Sequence, residues 1–334
     1  MELRVLNRES LKVGVVGLGK MGLLHAGILN VLPNVQLTAL CEKSGMIRRF
    51  FKKAFKQAQI VDDVEKFAGL ALDAVFVTTP IPSHFSIAKT VYVGKIARDL
   101  FVEKTLASSY DNAKELCELA EHFGGVNMVG YLRRFAVTFQ KAKDLLVQGR
   151  IGEASSFEAY AHSSDFFESR NDQDNPAARG GVLSDLGCHA VDLALWFFGD
   201  MHIVSEKTKT TCDRSLGDVV RFKVMEHDGL EGQFDVSWCI EGCRMPEVGL
   251  SISGSKGVIG VDDDKVELRL KTGESLRWYR QDLNDNVSFW IGAPEYFRED
   301  EYFIKSIIEN RSAEPSFRTA SKVDEIIDQV KIQS

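Results

Sequence analysis

A glycine-rich turn between a strand and a helix constrains this chain more than any other feature. The apolar run Lys12–Val16 predicts a strand, and the sequence GLGKMG at positions 17–22 follows it directly, before a helical pattern over Met21–Leu32. In a GxGxxG turn, the first glycine permits the tight turn, the second lets a pyrophosphate approach the main chain, and the third lets helix and strand pack closely. The helix amino terminus supplies N–H groups for the phosphates. The arrangement therefore predicts a dinucleotide-binding βαβ unit.

A carboxylate follows the next predicted strand. Val35–Cys41 is that strand, and Glu42 stands at its end, about 20 residues beyond the glycine turn, as this motif requires. A carboxylate at this position accepts hydrogen bonds from the ribose diol and repels a 2′-phosphate, which favours NAD. Lys43, with Arg48 and Arg49 close behind, could instead accept that phosphate. NADP therefore stays open as an alternative cofactor.

The two halves of the chain show different patterns. Residues 1–129 alternate short apolar runs with helical patterns, which predicts an α/β Rossmann domain. Residues 130–334 predict an α+β domain with a large open, mostly antiparallel sheet, because Val219–Tyr279 reads as an antiparallel meander of alternating segments. Within this half, Ser163–Arg179 is polar and predicts a long surface loop of the kind that often binds ligands. Leu183–Phe198 predicts a strongly apolar helix.

Charge and cysteine usage exclude several classes of partner. The net charge of -7 argues against a nucleic-acid or anionic-membrane surface, which needs a basic patch. The first ten residues are charged and lack an apolar signal core, and no apolar run approaches the about 20 residues that cross a bilayer. The six cysteines are scattered and form no CxxC pair. We expect a cytoplasmic protein with reduced thiols, no structural metal, and no nucleic-acid or membrane partner.

Three further segments carry reactive side chains. Thr78–His84 and Val102–Thr105 each follow a predicted parallel strand, and open α/β sheets bind ligands at the carboxyl ends of their strands. Taken alone, the first segment fits an ordinary loop and helix start, and Glu103 with Lys104 fits a solvated ion pair. Asp185 and His189 are four apart in an apolar helix and fall on one face, where they suit either an acid/base pair or a structural hydrogen bond.

Together these segments resemble the glucose–fructose oxidoreductase / inositol dehydrogenase family, called Gfo/Idh/MocA. The sharpest match is GGVLSDLGCHAVD at 180–192, which is similar to the family's Gly-Gly-x-Leu-x-Asp-x-Gly-x-His-x-x-Asp. The sequence also carries the glycine turn, Thr79-Pro80 with His84, Glu103-Lys104-Thr105, GYLRRF at 130–135 and GRIGE at 149–153. The resemblance runs over nearly the whole chain.

The resemblance implies an oxidoreductase that oxidises a sugar or polyol hydroxyl, or reduces the ketone, against nicotinamide. It implies that Lys104, Asp185 and His189 form the catalytic group. A base must remove the hydroxyl proton as hydride leaves the carbinol carbon, and His189 suits neutral pH. Asp185 would orient the imidazole or hold a neighbouring hydroxyl. Lys104 would stabilise the developing alkoxide and bind the nicotinamide ribose or the substrate. Either Lys104 or His189 is the proton acceptor.

The remaining expected contacts divide into cofactor and substrate. The residues expected to bind the cofactor are Gly17, Gly19, Lys20, Met21, Gly22, Glu42, Lys43, Thr79, Pro80, His84, Glu103 and Lys104. The residues expected to bind substrate are Arg134, His162, Arg170 and Arg179. His25 fits either packing or an approach to the cofactor. Thr105 replaces the family's proline after the lysine, and we expect a trans peptide there.

Two other functions compete with a freely exchanging dehydrogenase. One is a glycosidase that uses bound NAD for transient oxidation, and the other is a non-catalytic nucleotide-binding regulator. The sequence does not name the sugar or polyol, the direction of reaction or the number of subunits. An exposed face on the predicted Val219–Tyr279 sheet favours a homodimer or homotetramer.

Overall fold

The chain folds into two compact units. The computed structural model describes residues 10–165, 180–210, 219–243 and 245–332. The first unit comprises the described residues up to Gly130 together with Val287–Ser321, and the second comprises Tyr131–Asn286 and the described residues from Lys322 onward. The sequence placed a single boundary near residue 129. The structure differs in assigning Val287–Ser321 to the first unit, where Phe303 packs against Phe76 and Phe101.

The first unit is built on a six-stranded parallel sheet. Its strands are β1 (Leu11–Val16), β2 (Val35–Cys41), β3 (Gln59–Val61), β4 (Ala74–Val77), β5 (Asp99–Glu103) and β6 (Asn127–Gly130). Its first four α-helices are α1 (Lys20–Leu29), α2 (Gly45–Ala54), α3 (His84–Val93) and α4 (Tyr110–Phe123). The strand order β3-β2-β1-β4-β5-β6 is the doubly wound order of dinucleotide-binding domains, with every pair parallel. The predicted Rossmann fold is confirmed.

Buried aromatic side chains form the centre of this unit. Every residue of β4 and β5 is buried, as expected for strands covered on both faces. Phe76 on β4 stacks on Phe101 on β5, with ring centroids 4.6 Å apart. Phe303 meets both rings nearly edge-on and comes from a late helix, α5, which spans Pro294–Ile308 in this unit. The carboxyl-terminal part of the chain therefore completes the core of the amino-terminal sheet.

The same carboxyl-terminal segment covers the open edge of the sheet. The N–H of Val129 on β6 donates to the carbonyl of Pro315 at 2.9 Å, and the N–H of Phe317 donates to the Asn127 side chain at 2.7 Å. These bonds satisfy edge groups that would otherwise be open to pairing. The last helix, α6 (Phe317–Ile332), begins here, and from Lys322 onward it belongs to the second unit.

The second unit is built on an eight-stranded sheet. Its strands are β7 (Ala154–His162), β8 (Met201–Thr210), β9 (Val219–Glu226), β10 (Glu231–Ser237), β11 (Glu247–Gly254), β12 (Gly257–Asp262), β13 (Lys265–Leu270) and β14 (Ser275–Tyr279). The order is β14-β13-β12-β11-β7-β10-β9-β8. The prediction of a mostly antiparallel sheet is confirmed. The simple meander is wrong, because β7 enters between β10 and β11 and pairs parallel with β10. Alternation along a strand marks its two faces but not its neighbours.

Helices cover one face of this second sheet. Helix α7 (Val137–Val147) packs on β12 and β13, and helix α8 (Cys188–Phe198) packs on β7 and β11. Phe157 on β7 stacks on Phe198 of α8, with centroids 4.5 Å apart. The alternate residues of the strands point to the opposite, outer face, which carries charged and polar side chains: Glu158, Arg221, Lys223, Gln233, Asp235, Glu267 and Arg269.

The predicted helix over Leu183–Phe198 begins irregularly. Its first residues, Leu183–Gly187, form a π-helical turn, and only Cys188–Phe198 is α-helical. The predicted helix is therefore present over its whole range, with a π-helical turn in its first five residues. A π-turn inserted in a helix is frequently found at functional sites.

The described residues include neither a helix suited to a membrane nor a group of side chains suited to a metal ion. No helix there is long and apolar enough to cross a membrane. No group of three or more His, Cys, Asp or Glu side chains in that part of the chain is placed to hold a metal ion.

Candidate active-site residues

The glycine turn has two positions that the fold requires and one that it leaves open. Gly17 has φ +92°, and a Cβ there would lie 2.5 Å from Cγ2 of Thr79. A Cβ on Gly22 would run into the carbonyl oxygen of Gly17. Gly19 has φ -71°, and a Cβ there would have no described atom within 4 Å. The first and third glycines therefore hold helix to strand, and the second leaves room for a pyrophosphate at the start of α1.

Glu42 is fixed beside this turn. Its Oε2 accepts the Leu18 N–H at 2.9 Å, and its Oε1 accepts the Ser44 N–H at 2.8 Å. The guanidinium of Arg48 donates from Nη1 to the carbonyls of Glu42 and Lys43, each at 2.6 Å. A carboxylate held at the end of β2 suits a ribose diol, whereas Arg48 is partly engaged by the main chain. The geometry fits NAD.

His84 connects the two loops that follow β4 and β5. Its ring is fully buried, with Nδ1 2.7 Å from the carbonyl oxygen of Thr105 and Nε2 2.7 Å from that of Thr79. Burial lowers the pKa of His84. The hydrogen bonds to the two carbonyls favour the charged ring, but burial outweighs them. Because both nitrogens face main-chain oxygens, His84 holds the backbones of the loops that follow β4 and β5.

The peptide between Lys104 and Thr105 is cis, so the expectation of a trans bond is wrong. The surrounding contacts fix Thr105 in place of the family's proline. Its side chain is buried and donates to the Ala107 carbonyl at 3.0 Å, while its own carbonyl receives His84.

Glu103 belongs to a buried charged cluster. Its Oε1 lies 3.0 Å from Nε2 of His25, and Nδ1 of His25 lies 2.8 and 3.0 Å from the two carboxylate oxygens of Asp300. Oε2 of Glu103 accepts the main-chain N–H of Lys104 at 3.0 Å. The solvated ion pair between Glu103 and Lys104 is therefore wrong: Glu103 is buried and pairs with His25.

Electrostatics in this cluster favour a charged imidazole. Burial lowers the pKa of His25, but the charges and hydrogen bonds of Asp300 and Glu103 outweigh it and hold that pKa well above its ordinary value. Burial alone would raise the pKa of Glu103, but His25 holds it below its usual range. Burial raises the pKa of the Asp300 carboxyl.

Asp185 and His189 lie in the second unit at the junction of the π-turn and α8. Asp185 is half-buried within the π-turn, and His189 is the second residue of α8. The His189 ring is 7% exposed and meets the buried ring of Tyr131 edge-on, with centroids 6.3 Å apart. The unit thus presents a carboxylate and an imidazole one helical turn apart.

Arg134, one of the expected substrate contacts, is held in a buried ion pair. Its guanidinium pairs with the Asp192 carboxylate through Nε at 2.9 and 3.1 Å and Nη2 at 2.6 Å. Both side chains are buried, and Trp196 lies 5.9 Å from the guanidinium carbon. Arg134 therefore joins the segment after β6 to α8, and its contact with substrate stays a prediction.

His162, another expected substrate contact, lies on β7, and that contact stays a prediction. It alternates with Ala161 and Phe157, which face α8, so its side chain points to the outer face of the sheet. There its Nε2 is 3.5 Å from a carboxylate oxygen of Asp235. This position argues against a substrate contact within the unit. Arg170 and Arg179 lie outside the described residues.

Comparison with known proteins gives the family. A Gfo/Idh/MocA model described as an oxidoreductase family with an NAD-binding Rossmann fold matches residues 11–131. A model of the Gfo/Idh/MocA C-terminal domain matches residues 139–260. The chain belongs to the Gfo/Idh/MocA oxidoreductase family. The family model thus identifies the first unit as an NAD-binding Rossmann domain.

Relatives and solved structures agree with this membership. The chain is 28% identical over 205 residues to an uncharacterised oxidoreductase of Schizosaccharomyces pombe, covering 60% of this chain and 55% of that protein. It is 26% identical over 199 residues to scyllo-inositol 2-dehydrogenase (NAD(+)) of Bacillus subtilis, covering 57% and 55%. The matches thus span about half the length of these relatives. Levoglucosan dehydrogenase in complex with NADH has the same fold, with a TM-score of 0.85, 19% identity and 97% of each chain covered.

Sequence reasoning missed Asp300 and its connection to the family's Glu-Lys segment. His25 had been noted, but its partner lies 275 residues away. In the sequence Asp300 cannot be distinguished from any other acidic residue of a helix, because its contact with α1 forms only in the folded chain. Only tertiary structure could find it.

Proposed function

We propose that this Gfo/Idh/MocA member is an NAD-dependent dehydrogenase or reductase acting on CH–OH groups. It would transfer a hydride between nicotinamide and a carbinol or ketone carbon of a sugar, sugar derivative or cyclic polyol. The observation that carries the proposal is the presence of Lys104, Asp185 and His189 together, each on its family motif. Relatives named myo-inositol 2-dehydrogenase and D-apiose dehydrogenase support this substrate class.

Each of the three side chains has a defined task in the proposed reaction. In the oxidation direction the substrate C–H bond breaks, its electron pair leaves as hydride, and the hydroxyl proton passes to a base. NAD, when bound, supplies the hydride acceptor. His189 or Lys104 takes the proton, Asp185 orients the imidazole, and the Lys104 ammonium stabilises negative charge on the substrate oxygen.

The cofactor contacts follow from the first unit. The open position at Gly19 would receive the pyrophosphate, and Glu42 would bind the ribose diol. Thr79 and Pro80 are partly exposed at the end of β4, where a nicotinamide ribose would pass. Lys20, Met21 and Lys43 remain proposed contacts on the same side of the turn.

We propose that assembly uses the outer face of the second sheet. In the described part of the chain α7 and α8 cover only the other face, and the outer residues are polar and partly exposed. Such a face supports a homodimer or homotetramer. The composition supports a cytoplasmic location.

The decisive experiment follows nicotinamide absorbance. Purified protein is mixed with NAD or NADP and a panel of sugars, inositols and sugar acids, beside Lys104→Ala and His189→Ala. Lys89→Ala, which removes an exposed ion pair with Glu115, is the matched control. Turnover of one polyol by the wild type and by Lys89→Ala, lost in both other variants, would establish the proposal.

Two outcomes would replace it. Release of sugar from a glycoside without net nicotinamide change would indicate a glycosidase with transient oxidation. Tight NAD binding without turnover of any ligand would indicate a regulator.

A further inference from the structure

Glu103 is placed to act on the residue after it. It is the last residue of β5, and its two carboxylate oxygens serve different partners. Oε1 meets His25, whereas Oε2 accepts the N–H of Lys104 at 3.0 Å. Fixing that N–H fixes the point at which the Lys104 side chain leaves the main chain.

His25 in turn fixes Glu103. Both ring nitrogens of His25 face carboxylates, and only the doubly protonated ring can donate from both. The ring is fully buried, with the rings of Phe76, Phe101 and Tyr296 5.3–6.1 Å away. In such apolar surroundings charge-assisted hydrogen bonds are strong and directional.

Stability alone does not explain this cluster. Replacing a buried ion pair or triad by apolar residues of similar volume is often neutral or stabilising, so an ionic cluster is weak evidence for a stabilising role. This cluster lies among aromatic rings that could fill the space instead. The bond from the Lys104 N–H to Glu103 leads outward from the cluster to a proposed catalytic residue.

We propose that His25 is a positioning residue: anchored by Asp300, it holds the Glu103 carboxylate, which fixes the main chain of Lys104. The inference rests on the proposed role of Lys104 in hydride transfer. His25 itself takes no part in the proton transfer. The position of Lys104 thereby depends on α1, which carries His25, and on α5, which carries Asp300.

The test compares variants in the charged cluster with a variant at the far end of β5. His25→Gln and Glu103→Gln remove the charged pair. Asp99→Asn is the matched control, because Asp99 is a buried carboxylate of the same strand that accepts the Val126 N–H at 2.7 Å. It lies four residues, or about 13 Å, from Glu103. All three variants should lower the unfolding temperature, so stability does not distinguish them.

A readout independent of turnover follows Lys104 itself. Lysines are reductively methylated with ¹³C-formaldehyde, and the Lys104 signal is assigned by its loss in Lys104→Arg. We expect its chemical shift and titration midpoint to change in His25→Gln and in Glu103→Gln, and to match the wild type in Asp99→Asn. An unchanged Lys104 signal in both test variants would overturn the inference, whether or not any polyol is oxidised. If His25→Gln does not fold, Glu103→Gln alone decides.

Turnover adds a second readout once a substrate is found. We expect kcat in the two test variants to fall by about 10- to 100-fold, as for other small misplacements of a reacting group. The deuterium isotope effect on kcat should rise, because hydride transfer becomes slower relative to the other steps. A loss of kcat with an unchanged isotope effect would indicate fewer folded molecules and contradict positioning.

Discussion

The carboxylate of Asp300 lies 2.8 Å from Nδ1 of His25, although 275 residues of sequence separate them. The contact joins α5 to α1, the helix that begins at the glycine turn. The carboxyl-terminal segment is therefore part of the cofactor-binding unit in structure and in electrostatics. A truncation that ended this unit near residue 130 would leave His25 without its second carboxylate.

The charged state of His25 predicts how stability depends on pH. Burial lowers its pKa, but Asp300 and Glu103 raise it well above the ordinary value of about 6.5. The rings of Phe76, Phe101 and Tyr296 are the other neighbours. The stabilisation is fully present below pH 6.5, where the unfolded chain is also protonated. Above that pH the folded state holds a proton that the unfolded state has lost, so stability falls with a slope of up to about 1.4 kcal/mol per pH unit.

The measurement is the free energy of unfolding between pH 7 and pH 9. His25→Gln should be less stable than the wild type at pH 7, and the difference should shrink as the pH rises. His122→Gln, at an exposed histidine of α4, should keep the wild-type slope. Parallel curves for the wild type and His25→Gln would show that His25 is neutral in the folded protein.

Two glycine substitutions separate cofactor binding from folding. Gly19→Ala meets no described atom within 4 Å and has an ordinary φ of -71°, so the protein should keep its unfolding temperature. The added methyl group lies where the pyrophosphate would approach, and NAD affinity should fall at least about 10-fold, or 1.4 kcal/mol. Gly22→Ala collides with the Gly17 carbonyl and should lower both stability and affinity. Calorimetric titration with NAD, beside thermal unfolding, measures both, and wild-type affinity in Gly19→Ala would contradict the assigned turn.

Glu42 should determine the choice between NAD and NADP. Its loss removes acceptors for the ribose diol, at about 0.5–1.5 kcal/mol for each hydrogen bond, and removes the charge that repels a 2′-phosphate. Glu42→Ala should therefore weaken NADH binding by about 10-fold and strengthen NADPH relative to NADH. Fluorescence titration with both dinucleotides checks this, with Asp62→Ala, an exposed carboxylate after β3, as control. An unchanged NADH/NADPH ratio would assign specificity to other residues.

The sequence predicted those features that local pattern and spacing control. The parallel sheet, the glycine turn and Glu42 at the end of β2 all follow from short-range rules and agree with the structure. The sequence did not predict that β7 lies between β10 and β11, because the alternation of side chains along a strand is the same whichever strand lies beside it.

Buried ionic side chains were the hardest to predict. Arg134 and Glu103 are of residue types that often bind ligands. Nothing near them in the sequence shows that Asp192 contacts Arg134 or that His25 contacts Glu103. A charged residue is interpreted as exposed or functional by default, since burial of an unpaired charge is costly. Here the partners are 58 and 78 residues away, and the fold supplies them.

The Arg134–Asp192 pair offers a test of this structural assignment. Both side chains are buried and doubly hydrogen-bonded, so removal of one partner leaves an uncompensated charge. Arg134→Met alone should destabilise the protein by about 3–5 kcal/mol, whereas the double variant Arg134→Met/Asp192→Leu should recover most of that loss. Denaturant unfolding of the two single variants and the double variant gives the coupling. If Arg134 instead bound substrate, Arg134→Met would leave stability near the wild type, and the double variant would show no recovery, because neither charge would depend on the other.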